Sequence, residues 1–167
     1  MKDDDILISN SGSVYNIKVR GRANFEYAVP LRHFSNCMSS SIELICIEAS
    51  ECTFMDSTFM GVLAMIGMKA KKFRAAVEIH CMEPQVRALL KGLGVDKLFT
   101  FCDENGGITV ESWHNVLPQK KSALETAETV SEAHKTLVEA DDSNAEKFKE
   151  VIKFADADIE NIRKNQI

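Results

Sequence analysis

Three consecutive residues, Asp56-Ser57-Thr58, place a carboxylate and two hydroxyls just ahead of an apolar run of helical period. An Asp at that point can accept hydrogen bonds from the free backbone N–H groups of a first helical turn. Ser57 and Thr58 then take the first two helical positions, at the positive end of the helix dipole and close to solvent. Such an arrangement suits a capped helix start to which two hydroxyls are delivered. Nucleophilic catalysis asks for more. No His or Lys stands near Ser57 in the sequence, there is no Gly-rich phosphate loop and no His-Glu-x-x-His, and Asp56 is committed to its cap. A triad could still be assembled from distant segments. With no residue standing out for the remaining roles, the chain reads as a non-enzyme.

The other reactive residues are scattered. Cys37, Cys46, Cys52, Cys81 and Cys102 are odd in number and none has Cys-x-x-Cys spacing. Neither disulfides nor zinc are expected of them. His33, His80, His114 and His134 do not pair at ligand spacing, so no metal and no cofactor are expected. Cys46 and Cys81 read as buried small hydrophobes, and His80 as an outward or satisfied polar residue.

The elements that position Asp56-Ser57-Thr58 follow from periodicity. Ile42, Leu44, Ile45, Cys46 and Ile47 form a short apolar run suited to a strand buried on both faces. A polar break follows, and then Phe59, Val62, Leu63, Ile66, Ala70 and Phe73 fall on one helical face. Lys69, Lys71, Lys72 and Arg74 crowd the end of that helix, where cations complement the dipole.

Upstream, Ile6–Ile8 and Val14–Arg20 read as an antiparallel hairpin around the turn-forming Asn10-Ser11-Gly12-Ser13, with Gly21–Asn24 ending the second strand. Tyr27, Leu31, Phe34 and Met38 mark a helix, whose regular part is predicted to start near Ala28 because Pro30 is tolerated only in a first turn. Downstream, Val77–Cys81 reads as a strand, and Pro84 opens a helix with Val86, Leu89, Leu90 and Leu93 buried. Gly92 and Gly94 end that helix, and Leu98–Phe101 gives a last strand. Three helical crossovers imply a mostly parallel sheet.

These residues resemble the STAS domain of bacterial anti-anti-sigma factors. That family runs a hydrophobic strand, Asp-Leu-Ser, and then Phe-x-Asp-Ser-Ser/Thr-x-x-Gly-x-Leu. Here the line is Ile47-Glu48-Ala49-Ser50 and then Phe54-Met55-Asp56-Ser57-Thr58-Phe59-Met60-Gly61-Val62-Leu63. Pro84-x-Val86-Arg87-x-Leu89-Leu90 and Gly92-Leu93 resemble the family's ending, so the resemblance covers roughly Val14 to Phe101. There are departures. Glu48 stands where Asp is usual, Asn24 replaces an Asp near the modification site, and Phe59-Met60 replaces Gly-Leu, making the exposed first turn bulkier.

The resemblance implies a STAS-like α/β domain over residues 1–114, with a mixed, mostly parallel sheet packed against helices. It also implies an anti-sigma factor antagonist with Ser57 as phosphoacceptor and Asn24, Asp56, Ser57, Thr58, Met60 and Gly61 at the partner contact. The implied partners are an anti-sigma factor that is also a serine kinase of the histidine-kinase-like ATPase type, and a PP2C-like phosphatase. STAS domains also serve as non-switching scaffolds of signalling assemblies and as cytosolic subunits of lipid transporters, which is the alternative.

Residues 115–167 differ in character, and Ile108–Val110 ahead of them reads as a short extended piece. From Gln119 the chain is rich in Ala, Glu and Lys. Leu124, Ala127, Val130, His134, Leu137 and Val138 form one stripe, and Phe148, Val151, Ile152, Ala155, Ile159 and Ile162 another, with Asp141–Asn144 between them. A C-terminal helical hairpin is predicted, its stripes needing cover. Of 167 residues, 45% are hydrophobic and 27% charged, with net charge −5. That balance argues against direct nucleic-acid binding. No apolar run is long enough for a membrane span, and the acidic start lacks a signal-peptide core, so a cytoplasmic protein is expected.

Overall fold

In this computed structural model, residues 4–103, 112–115 and 122–166 are described. β1 (Asp5–Ser11) turns through Gly12 into antiparallel β2 (Val14–Ala23). Then come α1 (Phe25–Cys37), β3 (Leu44–Met55), α2 (Ser57–Lys72), β4 (Ala76–His80), α3 (Pro84–Gly92) and β5 (Thr100–Cys102). β6 (His114–Asn115) pairs antiparallel with β1, and α4 (Ala123–Ala140) and α5 (Asn144–Lys164) complete the order. The sheet of the described residues runs β5-β4-β3-β2-β1-β6, parallel from β2 to β5. The mixed α/β sheet, the crossover helices and the helical pair agree with the sequence reading. The 114/115 boundary falls inside β6, and Ile108–Val110 lie outside the described residues.

Side-chain alternation sends Ile17, Val19, Ile45, Ile47, Val77 and Ile79 to one face of the sheet, where they join a single core with α1, α2 and α3. Phe59, Val62, Leu63 and Ile66 of α2 are fully buried. Successive helical residues turn by about 100°, so Ser57 and Gly61 point away from Phe59. That opposite face is covered by α4, which brings Ala133, Leu137 and, from α5, Phe148 into the same core. The hairpin is thus a further layer laid over α2.

Several boundaries differ from the sequence reading. β3 has no polar break, because it stays paired with β2 as far as Met55. Two register shifts, between Lys18 and Arg20 and between Gly21 and Arg22, absorb extra residues of β3 as bulges, which scrambles the alternation that marks a strand in sequence. β2 likewise runs on through Gly21, whose φ of 67° suits a residue without a Cβ.

Helix α1 starts at Phe25 rather than near Ala28, and Pro30 lies inside it. The Asn24 side chain caps the earlier start, accepting from Glu26 N at 2.9 Å, and Tyr27, Ala28 and Val29 are buried by it. Leu89, expected inside, is 38% exposed, while Val86, Leu90 and Leu93 are buried. Asp96–Leu98 is a turn of 3₁₀ helix, so β5 begins at Thr100.

Candidate functional site

Parallel strands β2 and β3 end side by side, with Asp56 N donating to Ala23 O at 3.0 Å. Two helix starts therefore meet at the carboxyl ends of adjacent strands, the usual place for a site in an open α/β sheet. Asp56 serves both helices. One carboxylate oxygen accepts from Phe59 N at 2.8 Å in the first turn of α2, and the other from Phe25 N at 2.7 Å at the start of α1. The sequence reading of Asp56 as the α2 cap holds; its bond to α1 comes only from the strand pairing.

Ser57 is the first residue of α2. Its hydroxyl lies 2.9 Å from His134 Nε2 of α4. The opposite ring nitrogen, Nδ1, is 2.7 Å from Val130 O. A carbonyl can only accept, so Nδ1 carries the proton of the neutral ring and Nε2 accepts from the Ser57 hydroxyl. Burial holds the His134 pKa below its usual value, against opposing pulls from the Val130 carbonyl and the Asp56 carboxylate. The Phe148 ring packs against the imidazole at 4.9 Å between centroids. A neutral imidazole accepting a serine proton is the pairing of a nucleophile with its base. Here the far nitrogen is oriented by a backbone carbonyl, and the nearby carboxylate of Asp56 is occupied by two backbone N–H groups.

The other residues expected at a partner contact are largely covered. Thr58 is 7% and Met60 5% exposed, and Gly61 is buried. A Cβ on Gly61 would stand 2.4 Å from Ala133 O, so the two helices touch backbone to backbone there. Asn24, Asp56 and Ser57 are partly exposed. The expectation of a first turn open to solvent is therefore corrected. Phe59 points into the core, and α4 lies over Ser57, Met60 and Gly61.

His134 entered the sequence reading only as part of a stripe. A signal for its role was nonetheless present. The back face of α2 carries Met60, Gly61 and Ala64 where a one-sided helix would carry charges, which marks a helix buried all round. Arg32, outside the apolar stripe of α1, is a second such residue. Its guanidinium, on α1, makes a two-pronged contact with Glu132 of α4, both distances being 2.9 Å, and lies 3.5 Å from Glu128. Its pKa is raised first by that bond to Glu132. Asn144, fully buried at the start of α5, donates to both Leu93 O and Leu137 O at 2.8 Å, tying the hairpin to the end of α3.

One cluster of metal-ligand type occurs among the described residues. Ligand atoms of Cys46, Glu78 and His80 lie within 4.8 Å of one another on the sheet face opposite the helices. Glu78 is the acceptor that links them, at 2.9 Å from His80 Nε2 and 3.9 Å from Cys46 Sγ. Burial and the Glu78 carboxylate both raise the Cys46 pKa, keeping it a thiol.

A small domain with parallel strands, crossover helices and a capped hydroxyl at the start of its central helix defines the STAS class of α/β domain. The chain belongs to the STAS family: the family described as "Mlab, STAS domain" matches residues 6–100. Among solved structures, the anti-sigma factor antagonist SpoIIAA in its unphosphorylated form superimposes with a TM-score of 0.54 at 15% identity, over 62% of this chain and 92% of that one. The STAS domain of a SulP transporter from Vibrio cholerae gives 0.44 at 16% identity, over 59% and 80%. No curated protein matches the sequence. No helix of the described residues is long and apolar enough to cross a membrane.

Proposed function

We propose that this chain is a phosphorylation-switched binding module, an anti-sigma factor antagonist that sequesters an anti-sigma kinase while Ser57 is unphosphorylated and so regulates sigma-factor-dependent transcription. The observation that carries this reading is Ser57 at the first position of α2, beside a cap made by Asp56. A phosphate adds about −1.5 to −2 charges. At a helix N-terminus an anion is favoured by roughly 0.3–1 kcal/mol, so the domain tolerates the modification while a complementary surface does not. Likeness to a protein whose solved form is an unphosphorylated antagonist supports the choice. The module works by binding, in the cytoplasm, and a PP2C-like phosphatase resets it.

The test is titration calorimetry against an anti-sigma factor kinase of the histidine-kinase-like ATPase type, with wild type, Ser57→Ala, Ser57→Asp and phosphorylated protein. Ser57→Ala should bind like wild type. Charge at position 57 should lower affinity a few hundred- to a thousandfold, equivalent to about 3–4 kcal/mol. Equal affinities for all four would reject the switch.

A second reading, a non-switching scaffold or a subunit of a lipid transporter, draws on a different observation. The Ser57 hydroxyl is already bonded to His134, and Thr58, Met60 and Gly61 are buried. Intact mass measurement of native protein with and without phosphatase treatment separates the two.

A further inference from the structure

We propose that the back face of α2 is a helix-docking surface and that α4 is its intramolecular occupant, which a partner must displace helix for helix. The inference rests on reading Ser57 as the switch residue, and it specifies what the partner presents. Three features of the contact carry it.

The approach is as close as two helices allow. Gly61 meets Ala133 backbone to backbone, with no room for a Cβ. An occupant therefore needs a small residue at that crossing.

The buried face of α4 is mostly small or polar. Thr129 and His134 are at most 2% exposed and lie there with Ala133, Leu137 being the one large apolar residue among the buried positions of the helix. Cores are built from large apolar side chains, whereas exchangeable interfaces tolerate such polar groups when they are paired.

The polar pairs are specific. An occupant needs an uncharged acceptor opposite Ser57, as His134 provides, and carboxylates opposite Arg32, as Glu128 and Glu132 provide. The partner that fits is a protein offering an acidic amphipathic helix with a small residue at its crossing point. A tethered competitor acts at an effective concentration in the millimolar range, so α4 sets a threshold that only a well-matched helix passes. A phosphate on Ser57 stands where the imidazole now sits and is incompatible with either occupant.

The full-length Ala133→Trp variant wedges α4 off while leaving the α2 surface unchanged. Hydrogen exchange should show amides of α4 and α5 exchanging at least about tenfold faster, with β2–β4 protected as in wild type. A labelled peptide of residues 122–166 should then bind this variant in trans, measured by fluorescence anisotropy, and fail to bind wild type. Arg32→Glu, which sets like charges against Glu128 and Glu132, provides a second route to the open state. Loss of sheet protection together with the hairpin in both variants would make the hairpin a fixed part of the core and overturn the proposal. So would an Ala133→Trp hairpin that is open and still leaves the peptide unbound; Arg32→Glu, which repels the peptide's own Glu128 and Glu132, serves the exchange measurement alone. Ser57→Asp in the Ala133→Trp background should weaken the peptide at least about tenfold. Equal binding there would leave the docking surface standing and remove the charge switch proposed above.

Discussion

The Ser57 hydroxyl lies 2.9 Å from His134 Nε2, a residue 77 positions further along the chain. The contact links the first residue of the central helix to the middle of a helix that follows the matched family region. It makes the state of Ser57 and the seating of α4 a single physical question.

The imidazole makes stability depend on pH. Burial lowers the folded-state pKa of His134 below the unfolded value of about 6.5, with Asp56 the charged group that opposes the shift. Its stabilising contribution is fully present above that unfolded value and is lost as pH falls through the lowered folded value. Urea midpoints measured from pH 8 to pH 5 should decline more steeply for wild type than for His134→Gln. Parallel profiles would mean that His134 does not titrate in this window.

Asp56 should be the most sensitive cap in the domain. A single N-cap is worth about 1 kcal/mol, and Asp56 accepts from two helix starts. Asp56→Ala should therefore cost about 2 kcal/mol in chemical denaturation, with Asp56→Asn in between. A loss no larger than about 1 kcal/mol would show that the bond to Phe25 N contributes nothing.

Arg32 ties α1 to α4. Arg32→Ala should lower stability by about 1–3 kcal/mol, since it strips a partly buried, two-pronged pair from Glu132. Arg32→Lys should recover only part, because an ammonium cannot reproduce the planar fork. Thermal melts of the three proteins decide it, and a lysine variant equal to wild type would reduce the pair to simple charge attraction.

The C-terminal hairpin can be tested by removal. A chain ending at Asn115 keeps β1–β6 and α1–α3 and should retain its far-ultraviolet circular dichroism signal. It also exposes Met60, Gly61 and Ala64, so it should melt lower and bind a hydrophobic dye, or self-associate on gel filtration. Loss of structure would place the domain boundary beyond α4.

The sequence by itself determined the α/β class, the order of elements from β1 to β5 and the Asp56 cap, because each depends on residues close together in the chain, whereas β6 exists only through its pairing with β1. Period 2 against period 3.6, a capping Asp and a proline at a first turn are local signals, and the STAS motif is local too. Extents were harder to read. The bulges of β3 erased its alternation, and backbone pairing with β2, which does not depend on side-chain pattern, carried the strand to Met55. The cover over Ser57 was decided by tertiary structure alone. Both amphipathic stripes of the tail were legible, but a stripe states only that it must be buried. That α4 chose the back of α2 depended on the backbone approach at Gly61, the Arg32–Glu132 pair and the Asn144 clamp, contacts between residues far apart in sequence whose fit exists only after the chain has folded.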